Sequence, residues 1–383
     1  MSVHRLSNIP GFSIDRVAAA AGSDPDVLRL ENMDTDLPPP AEAIAATHAA
    51  LSSDDANSYL PFTGSLELRM AVAQRLFQQT GRDYHPDQEV VITCGGTEGI
   101  FDVLLATTDP GDEVILTDPT YAGMINRVRL AGAVPKLVPL MPTNGEWRFD
   151  LDALHQAVNQ RTRSLLLTNP SMPSGAVFNQ EEWEAITAIC QEHNLWLIYN
   201  AAQERILYDD LPYFHPASQP GMLDRTITIG SVSKEYRMIG WRVGWVVGPA
   251  TIMQDIARVH IYNVVTPTGI AQAGACAALQ LPTTQVAESV TEWQRRRDMV
   301  SEQLHDLPFV RADGGWSLLI DTGAMGHDAA SASRLLLEQG KVAATPMHGW
   351  GERNGAQFIR FVFSNEPVTR LAELRDRVTH ALL

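Results

Sequence analysis

The sequence predicts an α/β protein with a large domain, built on a mostly parallel seven-stranded sheet, and a smaller α+β domain. Three observations carry that reading. Short, nearly continuous apolar runs alternate with helix-length segments through the middle of the chain, the pattern of a parallel sheet covered on both faces. Polar residues of unusual type fall at the ends of several of these runs, where open parallel sheets gather their sites. Towards both ends of the chain the alternation is lost.

The seven strand candidates are EVVITCG, EVILTDPTY, VPKLVPL, RSLLLTNP, LWLIYN, TITIGSVSK and VGWVVGP. GIFDVLLATT, YAGMINRVRLAG and NQEEWEAITAICQEHN lie between them and have helical length. Residues 45–265 therefore form the large domain. Residues 1–44 hold a short helical pattern and then ENMDTDLPPP, whose prolines bar a regular helix or a central strand. This segment is expected to pack with the small domain. Residues 266–383 begin with a charged linker helix, TTQVAESVTEWQRRRDMVSEQL. The strand-like runs WSLLIDTG, VAATPM and QFIRFVFS follow, with helices between them and at the terminus.

A chain of 383 residues is too long for one simple core and suits two domains, or one domain with a satellite. Its 45% hydrophobic and 19% charged content is that of a soluble globular protein. A net charge of -16 argues against nucleic-acid or acidic-membrane partners, although one pocket can still hold a phosphate. The three cysteines are far apart and lack metal-ligand spacing, which fits a reducing compartment. No signal peptide or run of about 18 apolar residues is visible. A cytoplasmic protein is expected.

Two stretches carry chemistry. In TCGGTEG, glycines and Thr97 stand between a strand and a helix. Backbone N–H groups at a helix start make a phosphate cradle, though the same residues also serve a plain tight turn. In SVSKEYRMIGWRVGW, Lys234 is one of only three lysines and follows an apolar strand. A lysine at a strand end is ordinarily solvated. A desolvated one loses its proton more readily and becomes a nucleophile toward a carbonyl. Arg242 offers a fixed cation for a phosphate beside it.

SVSKEYRMIGWRVGW resembles the lysine motif of fold-type I pyridoxal-phosphate enzymes, in particular the class I/II aminotransferases. The likeness spans nearly the whole chain. SYLPFTGSLELRMAVA, GGTEG, DPTY, NPSMPSG and QFIRFVF fall in the family's order. The resemblance implies pyridoxal 5'-phosphate as cofactor, joined to Lys234 as a Schiff base. It implies that Gly96, Thr97, Ser231 and Arg242 hold the phosphate and that Tyr121 stacks on the pyridine. Tyr59 would reach the phosphate of a neighbouring subunit, making a homodimer with shared sites. Arg360 would pair with the α-carboxylate of an amino-acid substrate, with Asn169 also on the substrate side.

Three positions depart from the family, all at the cofactor ring. The aspartate that keeps the pyridine nitrogen protonated is here Asn200. The tyrosine and asparagine that donate to the ring phenolate oxygen are here Gln203 and Met172. An amide in place of a buried carboxylate removes about 1.5–3 kcal/mol of charge-assisted hydrogen bonding. That suits an altered electron demand, as in β- or γ-replacement, cyclisation or carbon–carbon bond formation. It equally suits ordinary transamination with a rearranged ring shell, or a replacement that slows turnover. Transamination, the family's dominant reaction, is the expectation; a sensor that binds the cofactor without catalysis is the rival from another class. Near the substrate mouth, Glu31 and Asp34 offer carboxylates for a cationic side chain or form a solvated loop. His348 and Trp350 either shape the pocket or anchor a loop.

Overall fold

The computed structural model describes residues 6–11, 13–353 and 355–383. The chain opens with helix α1 (Ser13–Ala21), strand β1 (Leu28–Arg29) and helices α2 (Ala41–Ala50) and α3 (Leu66–Thr80). The alternating region then runs β2 (Val90–Thr93), α4 (Gly96–Thr107), β3 (Glu113–Asp118), α5 (Ala122–Leu130), β4 (Val134–Thr143) and β5 (Glu146–Phe149). It continues with α6 (Leu151–Ala157), β6 (Thr162–Thr168), α7 (Gln180–Glu192), β7 (Trp196–Asn200), β8 (Thr226–Ser231) and β9 (Gly244–Val247).

These strands form one eight-stranded sheet in the order β2-β9-β8-β7-β6-β3-β4-β5. From β4 to β8 the pairing is parallel, while β9 runs antiparallel to both of its neighbours. All seven expected strands are present. The eighth, β5, pairs antiparallel with β4 across Asn144 and Gly145, whose φ values are 53° and 84°. That is the left-handed pair a two-residue hairpin turn needs, and Asn-Gly supplies it. The apolar faces are covered on both sides. Ile100, Val103, Met124, Val128 and Ile256 of α4, α5 and α8 (Ala250–Asn263) pack on one face. Leu154, Trp183 and Ile186 of α6 and α7 pack on the other.

After α9 (Gly269–Leu279), which packs with α2 and α3, the 20-residue helix α10 (Thr284–Gln303) leads to the second sheet. Its strands are β10 (Phe309–Val310), β11 (Ser317–Asp321), β13 (Thr345–Pro346) and β14 (Phe358–Val362), all antiparallel in the order β10-β11-β14-β13. The run VAATPM is divided. Its first half, β12 (Val342–Ala343), follows α11 (Ala329–Glu338) and pairs in parallel with β1, so the N-terminal segment joins this part of the molecule. Helices α12 (Val368–Leu371) and α13 (Leu374–Leu382) close the chain. Among the described residues, no helix is long and apolar enough to cross a membrane.

Candidate active site

The strand ends converge on a cleft of about 870 Å³, and one end of it is built to receive an anion. On β9, Gly244 pairs with Thr93 of β2 on one side and Ser231 of β8 on the other. A side chain at Gly244 would lie 2.5 Å from the Gly96 nitrogen, so glycine lets the start of α4 settle onto the sheet. Gly95, at φ +77°, leaves room for the Arg242 guanidinium, which a Cβ there would meet at 2.5 Å. Arg242 itself takes a left-handed backbone, φ 54°. Its guanidinium donates to the Ile239 carbonyl at 2.9 Å and to the Thr97 hydroxyl at 3.4 Å. Free N–H groups of the first turn of α4, the Thr97 hydroxyl, Ser231 and Arg242 thus surround one space with positive potential.

Lys234 enters the same cleft from the turn after β8. Its amine donates to the Met33 carbonyl at 2.6 Å and lies 4.6 Å from the centre of the Trp316 ring. Burial lowers its pKa to about 7; Asp34 opposes the shift, and the cations Arg360 and Arg242 add to it. The amine is therefore available as a nucleophile near neutrality.

Arg360 reaches the cleft from the other sheet, on β14 opposite Leu319 and Thr345. It is fully buried, and its Nη2 donates to the Glu31 carbonyl and the Thr345 hydroxyl. Its Nε and Nη1 have no hydrogen-bond partner among the described residues. Burial lowers its pKa to about 10, which leaves it charged at neutrality. A buried cation with unused donors is poised for a carboxylate. The Trp350 ring lies 4.8 Å from the guanidinium and 5.4 Å from Tyr121, which lines the cleft. Trp350 is thus a buried anchor under two cleft residues, while His348 is exposed.

At the remaining wall stand Asn200, Gln203 and Met172. Asn200 ends β7; its Nδ2 donates to the Thr168 hydroxyl at 3.1 Å and its Oδ1 accepts from the Ala202 N–H at 3.2 Å. Gln203 donates from Nε2 to the Pro170 carbonyl at 2.9 Å. One expected residue is not brought here. The Asn169 side chain accepts from the Phe178 N–H at 2.8 Å and is not part of the cleft wall. Tyr59 is 83% exposed on the outer surface. Glu31 is sealed against Arg29 at 2.6 Å, so it is closed to a cationic substrate; Asp34 remains exposed. Met33, beside Glu31 and Asp34, does line the site, and unforeseen residues join it: Ile14 of α1, Met124, Thr168 and Ile239, with Trp316 under the lysine.

The family description "Aminotransferase class I and II" matches residues 25–378. The chain belongs to the class I and II aminotransferase family. This aminotransferase is 33% identical to the arginine–pyruvate transaminase of Pseudomonas aeruginosa, over 92% of this chain and 90% of that protein. It is 31% identical to an aspartate aminotransferase of Pyrococcus abyssi, over 85% and 84% respectively. The solved N-succinyldiaminopimelate aminotransferase of Mycobacterium tuberculosis superposes with a TM-score of 0.93 at 30% identity, covering 99% of both chains. As a member of this family the protein is a pyridoxal-phosphate-dependent transferase. The residues present fit that group. The glycine-lined cradle at Arg242 suits its phosphate, and the lysine with lowered pKa suits its aldehyde.

Proposed function

We propose that this aminotransferase moves an amino group from an amino acid to a 2-oxo acid, with Lys234 as the covalent anchor and proton carrier. The observation that carries this is Arg360: a buried cation with two nitrogens unpartnered among the described residues, in the same cleft as a lysine whose pKa burial lowers to about 7. When bound, the coenzyme supplies an aldehyde for the substrate amine and an electron-accepting ring. The protein's own residues do the rest. Gly96, Thr97, Ser231 and Arg242 bind the phosphate, and Tyr121 covers the ring. Arg360 orients the substrate by its carboxylate, and Lys234 takes the Cα proton. The lining holds no carboxylate, and Ile14, Met33, Met172 and Ile239 are apolar, which favours a substrate side chain without positive charge. Replacement or cyclisation is the second reading, favoured by the neutral Asn200 and by Met172, which offers no donor.

The proposal extends to the whole molecule: a cytoplasmic homodimer in which Tyr59 serves the partner's phosphate site. The exposure of Tyr59, Phe62, Leu66, Met70 and Tyr262 supports it. Within the chain, the division into 1–44, 45–265 and 266–383 is supported by the pairing of β1 with β12.

Borohydride reduction of the holoenzyme, followed by peptide mapping, is expected to place a pyridoxyl group on Lys234. A label on Lys136 or Lys341 instead would overturn the assignment. Incubation with a panel of amino acids, with and without a 2-oxo acid, separates the two reactions. Amino transfer appears as paired keto and amino products; replacement or cyclisation appears as a product formed without the oxo acid.

A further inference from the structure

Among the described residues, the cleft lining contains three basic side chains, Lys234, Arg242 and Arg360, and no acidic one. The carboxylates on the elements packed around it face elsewhere. Glu204 and Glu235 turn to Arg75, at 3.4 and 2.6 Å. Asp118 accepts the backbone N–H groups of residues 352 and 353 at 3.0 and 2.9 Å. Glu31 pairs with Arg29, and Asp34 is exposed and acts on Lys234. Behind β7, the His215 ring stacks edge-on to Tyr199, and burial lowers its pKa to about 3, so it brings no charge at neutrality. Arg127, donating to the Thr97 carbonyl, adds a further cation beside Tyr121. Among the described lining residues there is thus no carboxylate to pair with a protonated ring nitrogen, so the walls do not favour a cationic ring.

Asn200 is set to act on such a base. The chain Ala202 N–H to Asn200 Oδ1, Asn200 Nδ2 to Thr168 Oγ1, and Thr168 Oγ1 to the Met124 sulfur (3.7 Å) fixes which end of the amide is the donor. One N–H of Asn200 Nδ2 remains after these bonds. Gln203 likewise keeps one N–H after donating to the Pro170 carbonyl. With the coenzyme's phosphate at the start of α4 and its aldehyde carbon at Lys234, two polar ring positions remain. The phenolate oxygen, adjacent to that carbon, falls to Gln203. By the family's order of residues, the ring nitrogen, para to the carbon that bears the aldehyde, would face Asn200, which lines the cleft.

We propose that Asn200 donates its free amide N–H to the coenzyme's ring nitrogen, and that this nitrogen carries no proton at neutral pH in this protein. This rests on the reading of Lys234 as the covalent anchor. With its nitrogen unprotonated, the ring would withdraw electrons less strongly from the substrate carbon than a pyridinium. Asn200 is then the residue that sets the electronic character of the site.

The test is the nitrogen NMR spectrum of holoenzyme loaded with coenzyme labelled with ¹⁵N in the ring, recorded from pH 6 to 9, beside borohydride mapping of the same sample. The expected wild-type signal is that of an unprotonated, hydrogen-bonded pyridine throughout, and Asn200→Asp moves it upfield to the pyridinium position. A pyridinium signal in wild-type enzyme whose Lys234 carries the label overturns the proposal alone. An unprotonated signal that Asn200→Asp leaves unmoved overturns the role of Asn200. No label on Lys234 overturns the anchor reading and the proposal with it. The wild-type titration decides the protonation state even if the variant fails to fold.

Discussion

Lys234 shows how one buried group ties chemistry to stability. Burial and neighbouring cations lower its pKa to about 7, against about 10.4 in an unfolded chain. Between those values the unfolded state binds the extra proton, so this group makes cofactor-free protein more stable as pH rises from about 7 to about 10. Lys234→Met removes the linkage. Thermal denaturation of the cofactor-free variant is expected to show a higher Tm than wild type near pH 7, with the gap closing toward pH 10. For Arg360→Lys the loss falls on substrate recognition. A single ammonium keeps the charge but not the planar fork, at a cost of about 1.5–3 kcal/mol, or about 10–150-fold in kcat/KM. Steady-state kinetics on the best amino donor measure it, and a wild-type value would remove Arg360 from the carboxylate site.

Elements depend on clips that are equally specific. His260 of α8 lies 2.9 Å from Glu98 and 3.5 Å from Asp102, both on α4, and its other nitrogen is 3.0 Å from the Phe62 carbonyl. Burial opposes a charge on the ring, yet the hydrogen bonds to Asp102 and Glu98 raise its pKa to about 9. Glu98 departs from an ordinary paired carboxylate: burial outweighs the pairing and pushes it up to about 7. For His260 the folded state holds more protons than the unfolded one between about 6.5 and 9, so its stabilisation is full below that window and lost through it. His260→Gln is expected to cost about 3–5 kcal/mol at pH 6 and far less at pH 9, read from urea unfolding. Asn179→Ala, which breaks the capping box with Glu182 at the start of α7, is expected to cost about 1 kcal/mol at either pH. The strands were legible because their apolar runs are nearly continuous, and the cradle because glycines mark it. The β5 hairpin was signalled by Asn144-Gly145 and by the alternation of Glu146, Trp147, Arg148 and Phe149, but it lacks the continuous apolar run that marked the other strands. Trp316 beneath Lys234 was not legible at all, since that contact arises only when residues 82 positions apart are brought together by the packing of two sheets.

For the whole molecule, the proposed dimer makes a prediction that no single variant tests. Lys234→Ala and Tyr59→Ala subunits are each expected to be impaired alone. Mixed and re-associated, they produce one intact site per heterodimer, and activity returns. Failure of such complementation, with heterodimers verified by mass, would place Tyr59 outside the neighbouring site. With Lys234 and Arg360 in their proposed roles, one feature of the fold also governs which molecules this enzyme accepts. Lys234 sits in the turn that follows β8 of the eight-stranded sheet, and Arg360 lies on β14 of the four-stranded one. The two sheets act as the jaws of a caliper, and a substrate is gauged by the distance between its nitrogen and its carboxylate. An amine that lacks the acid group touches one jaw only, and a longer ω-amino acid overshoots the gap. Selection for α-amino acids is thus a matter of span, set by how two separately built layers come to rest against each other.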